Sequence, residues 1–189
     1  MILDHKSPGS IPGGITKKNI IMEGIKYIEN FIGNDLEMFN YVVLNTKWDE
    51  SMKSRKTASY GASYNYSQIT YPKIEFTSEI EMIKNSIVPF VGFCPNNCLI
   101  NYYIDANSKM GYHSDQIDIL DNLTGVVIVS LGDERVIRFR NIENKNNILD
   151  FKLKSGSLFY MDQEVQRKWQ HSVIKGNGER ISLTFRKIK

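Results

Sequence analysis

From Cys98 to the C-terminus the chain is a succession of short apolar or alternating segments separated by turn residues. Cys98 to Ile104 reads as a strand, and Gly125 to Leu131 (Gly-Val-Val-Ile-Val-Ser-Leu) as a buried one. Gly132-Asp133 marks a turn into Val136 to Arg140, where alternation sets Val136, Arg138 and Arg140 opposite Ile137 and Phe139. Leu149 to Leu153 and Ser157 to Met161 read as a strand pair around Lys154-Ser155-Gly156. His171 to Ile174 and Ile181 to Ile188 close the series. Many short strands with turns between them, after a helical portion, point to a jelly roll or other small β-barrel.

The helical portion lies upstream. Ile25, Ile28, Phe31, Ile32, Leu36, Phe39, Val42 and Val43 have helical spacing, broken once at Gly33-Asn34, which predicts two helices between Lys18 and Leu44. Thr77 to Val88 predicts another, with Ile80, Ile83 and Ile87 on one face. Between them, Lys47 to Lys56 is polar and basic, and Tyr60, Tyr64, Tyr66 and Tyr71 follow in a segment of short strands and loops. Residues 1–17, rich in Gly, Pro and Ser, read as a flexible arm. The expected class is α+β, one domain over 18–189, with a jelly-roll core at about 98–189 and N-terminal supporting helices. A length of 189 residues suits one such domain.

Composition excludes more than it selects. With 41% hydrophobic and 24% charged residues the chain is neither disordered nor membrane-spanning in character, and no stretch approaches the roughly 20 apolar residues of a transmembrane helix. A net charge of +3 is compatible with a polyanionic partner and does not demand one. Cys94 and Cys98 are too few for a disulfide framework, and no second C-x-x-C pair completes a zinc site. No secretory signal is read at the N-terminus. The expectation is a monomer of the cytoplasm, or of the nucleus in a eukaryote, without a membrane partner.

The chemistry is carried by His113-Ser114-Asp115, answered by His171 and then by Arg180 and Arg186. Two imidazoles and one carboxylate form a facial triad that leaves open positions on a metal, which suits a non-haem Fe(II) that must also hold a co-substrate and O₂. The i, i+2 spacing of His113 and Asp115 points both to one face of a strand. An arginine shortly after the third ligand supplies a planar fork for the far carboxylate of a dicarboxylate. Arg180 and Arg186, six apart, share a strand face, and two inward arginines without an anion would be hard to justify. Of the chain's three histidines, His5 lies in the arm and the other two fall where the triad needs them.

These residues resemble a known family. Asn101-Tyr102-Tyr103 resembles its N-x-Y element, His113-Ser114-Asp115 its H-x-D, His171 its distal histidine, and Arg180 to Arg186 its R-x-x-x-x-x-R signature. Upstream, Arg55 to Gly61 and Tyr64 to Ser67 resemble its substrate lid, placed here at about 47–72. The family is that of the AlkB-type Fe(II)- and 2-oxoglutarate-dependent dioxygenases, which includes nucleic-acid repair demethylases. The resemblance implies a double-stranded β-helix (jelly-roll) core and Fe(II) on His113, Asp115 and His171, the catalytic centre, with 2-oxoglutarate and O₂ as co-substrates. It implies that Asn101 and Tyr103 hydrogen-bond 2-oxoglutarate, that Arg180 pairs with its distal carboxylate, and that Arg186 helps hold it. It implies stacking of a base on Tyr64 or Tyr66. The residues after H-x-D, acidic in the family's nucleic-acid enzymes, are here Gln116 and Ile117. Gln116 is left to read the base, since Ile117 cannot accept a hydrogen bond. Two substrates stay open: an N-alkylated base of the 1-methyladenine or 3-methylcytosine type in DNA or RNA, or a small molecule or peptide.

Overall fold

The computed structural model describes residues 22–66 and 69–189, without the side chain of Tyr66; the expected arm over 1–17 and His5 lie outside the described residues. In chain order the elements are β1 (Ile25–Ile28), α1 (Asp35–Asn45), β2 (Lys56–Gly61), β3 (Tyr64–Tyr66), β4 (Ile69–Tyr71), α2 (Ser78–Val91), β5 (Asn97–Tyr103) and β6 (Met110–His113). They continue with β7 (Val126–Gly132), β8 (Arg135–Asn141), β9 (Ile148–Leu153), β10 (Leu158–Met161), α3 (Gln163–Lys168), β11 (Trp169–Val173) and β12 (Arg180–Arg186).

From β5 onward the strands are shared between two antiparallel sheets, alternating except at β8 and β9, which pair within the smaller one. The larger runs β1-β10-β7-β12-β5-β2 and the smaller β6-β11-β8-β9. Their eight C-terminal strands have the order of a jelly roll, and β1 and β2 extend the larger sheet at its two edges.

Period-two chemistry explains why the larger sheet sits where it does. On β12, Ile181, Leu183 and Phe185 face one way, and on β7 Val127, Val129 and Leu131 join them. Both sets pack on Met38 and Val42 of α1 and on Ile80, Ile83 and Ile87 of α2. The alternate residues of β12, namely Arg180, Ser182, Thr184 and Arg186, turn to the inside of the barrel. All seven residues of β12 are nonetheless buried, because both faces of the sheet are covered. A second core, with Phe139, Phe151, Phe159 and Leu153, closes the far end between the sheets.

α2 begins and ends as its sequence directs. Thr77 caps the N-terminus, and Gly92, at φ 80°, ends the helix by donating its N–H to the Val88 carbonyl.

Two expectations are corrected. The first of the two helices expected between Lys18 and Leu44 is instead strand β1, paired with β10 from Ile25↔Met161 to Ile28↔Leu158. Gly24 and Asn30 flank it at φ 82° and 53°, a left-handed backbone through which no right-handed helix runs. The expected β9–β10 pair is also absent: β9 bonds to β8 in the smaller sheet and β10 to β7 in the larger. The turn at Gly156 (φ 71°) carries the chain from one sheet to the other.

Candidate active site

The inward faces of β5 and β12 meet those of β6 and β11 in one pocket. Asn101 and Tyr103, Arg180 and Arg186, and His113, Asp115 and His171 all line it. Seven side chains singled out from sequence thus converge, drawn from four strands and one loop.

His113 and His171 are brought together by direct register across β6 and β11. Their ring centroids lie 4.3 Å apart. His113 Nδ1 lies 3.0 Å from the Gly111 carbonyl, which engages that nitrogen and leaves Nε2 for a ligand role. His171 Nε2 lies 3.7 Å from Asp115 Oδ2. Asp115 does not reach this position by strand alternation, because β6 ends at His113. Its backbone N–H instead donates to the side-chain Oε1 of Gln166 at 2.9 Å, and Gln166 Nε2 approaches Asp115 Oδ2 at 3.4 Å. Among the described residues no three His, Cys, Asp or Glu side chains already stand in full ligand geometry. The triad is adjacent, and Arg186 Nη2 donates to Asp115 Oδ1 at 2.5 Å.

Electrostatics fits this donor set. Burial pushes the Asp115 carboxyl up, but Arg186 and then the two imidazoles more than offset it and hold the pKa at about 2. Burial, reinforced by His113, pushes His171 down to about 3. Both groups therefore stand at neutral pH in the forms that bind a cation, a carboxylate and a neutral imidazole. His171 Nδ1 is buried without a hydrogen-bond partner among the described residues.

A pH dependence follows with a definite sign. Below its ordinary pKa of about 6.5 the unfolded chain protonates His171 while the folded chain resists until about pH 3, so stability falls as pH drops through that window. Asp115 adds to the loss from about pH 4 towards 2, where again the unfolded state takes the proton first. The metal-free protein is expected to lose stability below pH 6.5, by up to about 1.4 kcal/mol per pH unit for one proton. Urea titrations of the parent and of His171→Gln check this: the variant's dependence between pH 6.5 and 4 should be shallower, and equal slopes would refute the assignment.

The arginines are placed unlike ordinary surface cations. Arg180 is 1% exposed. It donates from Nη2 to Ser130 Oγ at 2.9 Å and faces the Tyr103 ring at 5.4 Å. Its Nε and Nη1 meet no hydrogen-bond partner among the described residues. Two buried donors aimed into a pocket suit a carboxylate. Arg186 is buried between Asp115 and the ring of Tyr64, 5.1 Å from its guanidinium carbon.

The substrate residues fare differently. Tyr64 is 4% exposed, packs with Tyr71 and Leu99 and sets its ring 5.1 Å from the Arg186 guanidinium carbon. Gln116 is exposed and does not line the pocket, and Ile117 packs against the second core. The structure thus leaves Gln116 outside the cluster. The side chain of Tyr66 lies outside the described residues.

Two further residues contact the cluster, one not singled out from sequence and the other read there only as part of the lid. One is Gln166, whose signal was the capping Asp162 that opens α3 by accepting from Val165 N. The other is Arg55, which donates from Nε to Asn101 Oδ1 at 2.7 Å. With that oxygen engaged, the amide nitrogen of Asn101 is left as its group for the pocket.

A family model describing the 2OG-Fe(II) oxygenase superfamily matches residues 31–186. The chain belongs to that superfamily. It is an oxidoreductase of AlkB type, with Fe(II), 2-oxoglutarate and O₂ as its metal and co-substrates. A protein of Acanthamoeba polyphaga mimivirus is 29% identical over 156 residues, covering 80% of this chain and 81% of its own. The human DNA oxidative demethylase ALKBH2 is 29% identical over 147 residues, 71% of this chain and 56% of its own. The oxygenase therefore spans about half the length of its mammalian relatives. The solved structure of OsALKBH1 superposes with a TM-score of 0.66 over 87% of this chain and 98% of that one, at 15% identity, a likeness of fold. Among the described residues no helix is long and apolar enough to cross a membrane.

Proposed function

We propose that this oxygenase oxidatively demethylates N-alkylated bases of the 1-methyladenine or 3-methylcytosine type in DNA or RNA. The observation that carries the co-substrate half of this reading is the buried Arg180, with two donors unpartnered among the described residues, in the pocket that also holds the His–Asp–His cluster. In this reading His113, Asp115 and His171 hold Fe(II), Arg180 binds the distal carboxylate of 2-oxoglutarate, and Asn101, Tyr103 and Arg186 orient the remainder. Residues 47–72 form the substrate lid, with Tyr66 a candidate for stacking. The substrate half is supported by likeness to ALKBH2, named as a DNA oxidative demethylase.

Bound iron with 2-oxoglutarate and O₂ supplies oxidation of an unactivated C–H bond. The protein's part is placement and protection. Arg180 anchors one end of the co-substrate, so that its orientation at the iron is fixed by a charge-assisted fork. Arg186 neutralises Asp115 and keeps it ionised. The apolar inner residues Leu99, Ile128 and Ile137 keep the reacting end dry. Hydroxylation of an N-methyl group gives a hemiaminal, which falls apart to formaldehyde and the free base.

The second reading, a hydroxylase that tailors a small molecule or peptide on the same scaffold, is favoured by one observation: Gln116 and Ile117 do not line the pocket, Ile117 packing instead against the second core, so neither offers the pocket an acceptor for an exocyclic amine. Mass spectrometry of a single-stranded oligonucleotide with one 1-methyladenine separates the two. The expected result is loss of a methyl mass that depends on both Fe(II) and 2-oxoglutarate. Succinate production with an unchanged oligonucleotide mass would favour the second reading.

A further inference from the structure

Asp115 occupies a segment with no ladder to hold it. β6 ends at His113, and the backbone from Ser114 to Ile117 belongs to no helix or strand. In a jelly roll the two histidines are fixed by cross-strand register, as His113↔His171 is here, but a carboxylate two residues beyond a strand end is fixed only by what reaches it. What reaches it is Gln166. This side chain is 3% exposed and accepts from Asp115 N at 2.9 Å while its amide nitrogen faces Asp115 Oδ2 at 3.4 Å. Arg186 takes the other oxygen. A second tie holds the neighbouring residue, Ser114 Oγ donating to the Trp169 carbonyl at 3.1 Å. Gln166 and Trp169 both follow from α3, a helix of six residues started by the Asp162 cap.

We infer that Gln166 is a positioning residue for the metal centre: it sets both the backbone and the carboxylate plane of Asp115 relative to His113 and His171. The inference rests on the reading of those three residues as the iron ligands. An amide suits the task because it carries an acceptor for the N–H and a donor for the carboxylate on one rigid plane. A carboxylate in its place would repel Asp115, and an apolar side chain would free the segment. Partners of metal ligands in this outer position typically change metal affinity by about 10- to 100-fold.

The test is equilibrium binding of Mn(II), with Co(II) absorption as a second readout because its d–d bands follow ligand geometry. Gln166→Met keeps the length and apolar packing and deletes both hydrogen bonds to Asp115, along with the amide's contact to Met161 Sδ. It is expected to raise the Mn(II) dissociation constant about tenfold or more and to shift the Co(II) bands. In an Asp115→Ala background the same change is expected to add nothing further, since two residues acting through one contact are not additive. Unaltered Mn(II) binding by folded Gln166→Met, or an equal loss in both backgrounds, would overturn the inference. If Gln166→Met does not fold, Gln166→Asn, one methylene too short to span both groups, carries the same expectation. His171→Ala is the control: if it binds Mn(II) as the parent does, the ligand set itself is wrong. If it loses binding while Gln166→Met does not, only the positioning role fails.

Discussion

Asp115→Asn is expected to form succinate at least about a thousandfold more slowly than the parent, a loss of about 4 kcal/mol of barrier lowering. The side chain keeps its shape, so the effect is one of charge. Asp115 brings the single negative charge of the His–Asp–His set, and its low pKa of about 2 means that this charge is present at every working pH. Asparagine removes it and offers a weaker ligand to a dication. A second consequence is separable from the first. Arg186, 2.5 Å from Asp115 Oδ1 and 2% exposed, loses the negative charge of that carboxylate. Removing one partner of a buried ion pair costs about 3–5 kcal/mol, so the urea midpoint should fall. Measurement of succinate on protein shown to be folded, with iron supplied in excess, isolates the chemical effect. Turnover within about tenfold of the parent on such protein would remove Asp115 from the ligand set.

What could be read from the sequence was the part governed by local periodicity. β7 announces itself as an apolar run, and β12 by alternate positions of different chemistry: Ile181, Leu183 and Phe185 against the helices, Arg180, Ser182 and Arg186 into the pocket. The same alternation made the inward direction of both arginines legible. α2 was legible from Ile80, Ile83 and Ile87 on one face.

What could not be read depends on distant partners. Ile25-Lys26-Tyr27-Ile28 satisfies helical spacing as a string, and becomes a strand because the free edge of β10 lies beside it. β9 and β10 are neighbours in sequence yet members of different sheets, a fact of topology that no window of residues contains. His113 and Asp115 pair in sequence on a rule of alternation that does not operate there, since the strand has ended and Gln166, from 51 positions away, contacts Asp115. α3 has only six residues, too few to show a period. Tyr64 reads as a platform, and its packing with Tyr71 and Leu99 comes only with the fold.

Arg180→Met is expected to raise the 2-oxoglutarate requirement about a hundredfold or more without destabilising the metal-free protein. The two parts have opposite causes. In binding, Arg180 offers the distal carboxylate a buried charge-assisted partner, and truncating one member of such a pair costs about 2–5 kcal/mol. In folding, the same side chain is a burden: it is 1% exposed, burial pulls its pKa down, and Nε and Nη1 are unpartnered among the described residues. Each unsatisfied buried donor costs about 1–3 kcal/mol, more on a charged group. Methionine fills much of the same space without polar atoms, so the urea midpoint should hold or rise. An arginine kept for structure would behave the other way, its loss costing stability and leaving co-substrate affinity alone. Ligand-induced stabilisation gives the sharpest contrast. Saturating 2-oxoglutarate with Mn(II) should raise the melting temperature of the parent, because the ligand binds the folded state only. The same concentration should leave Arg180→Met nearly where Mn(II) alone places it. A variant that is strongly destabilised, yet stabilised by 2-oxoglutarate as much as the parent is, would take Arg180 out of the co-substrate site.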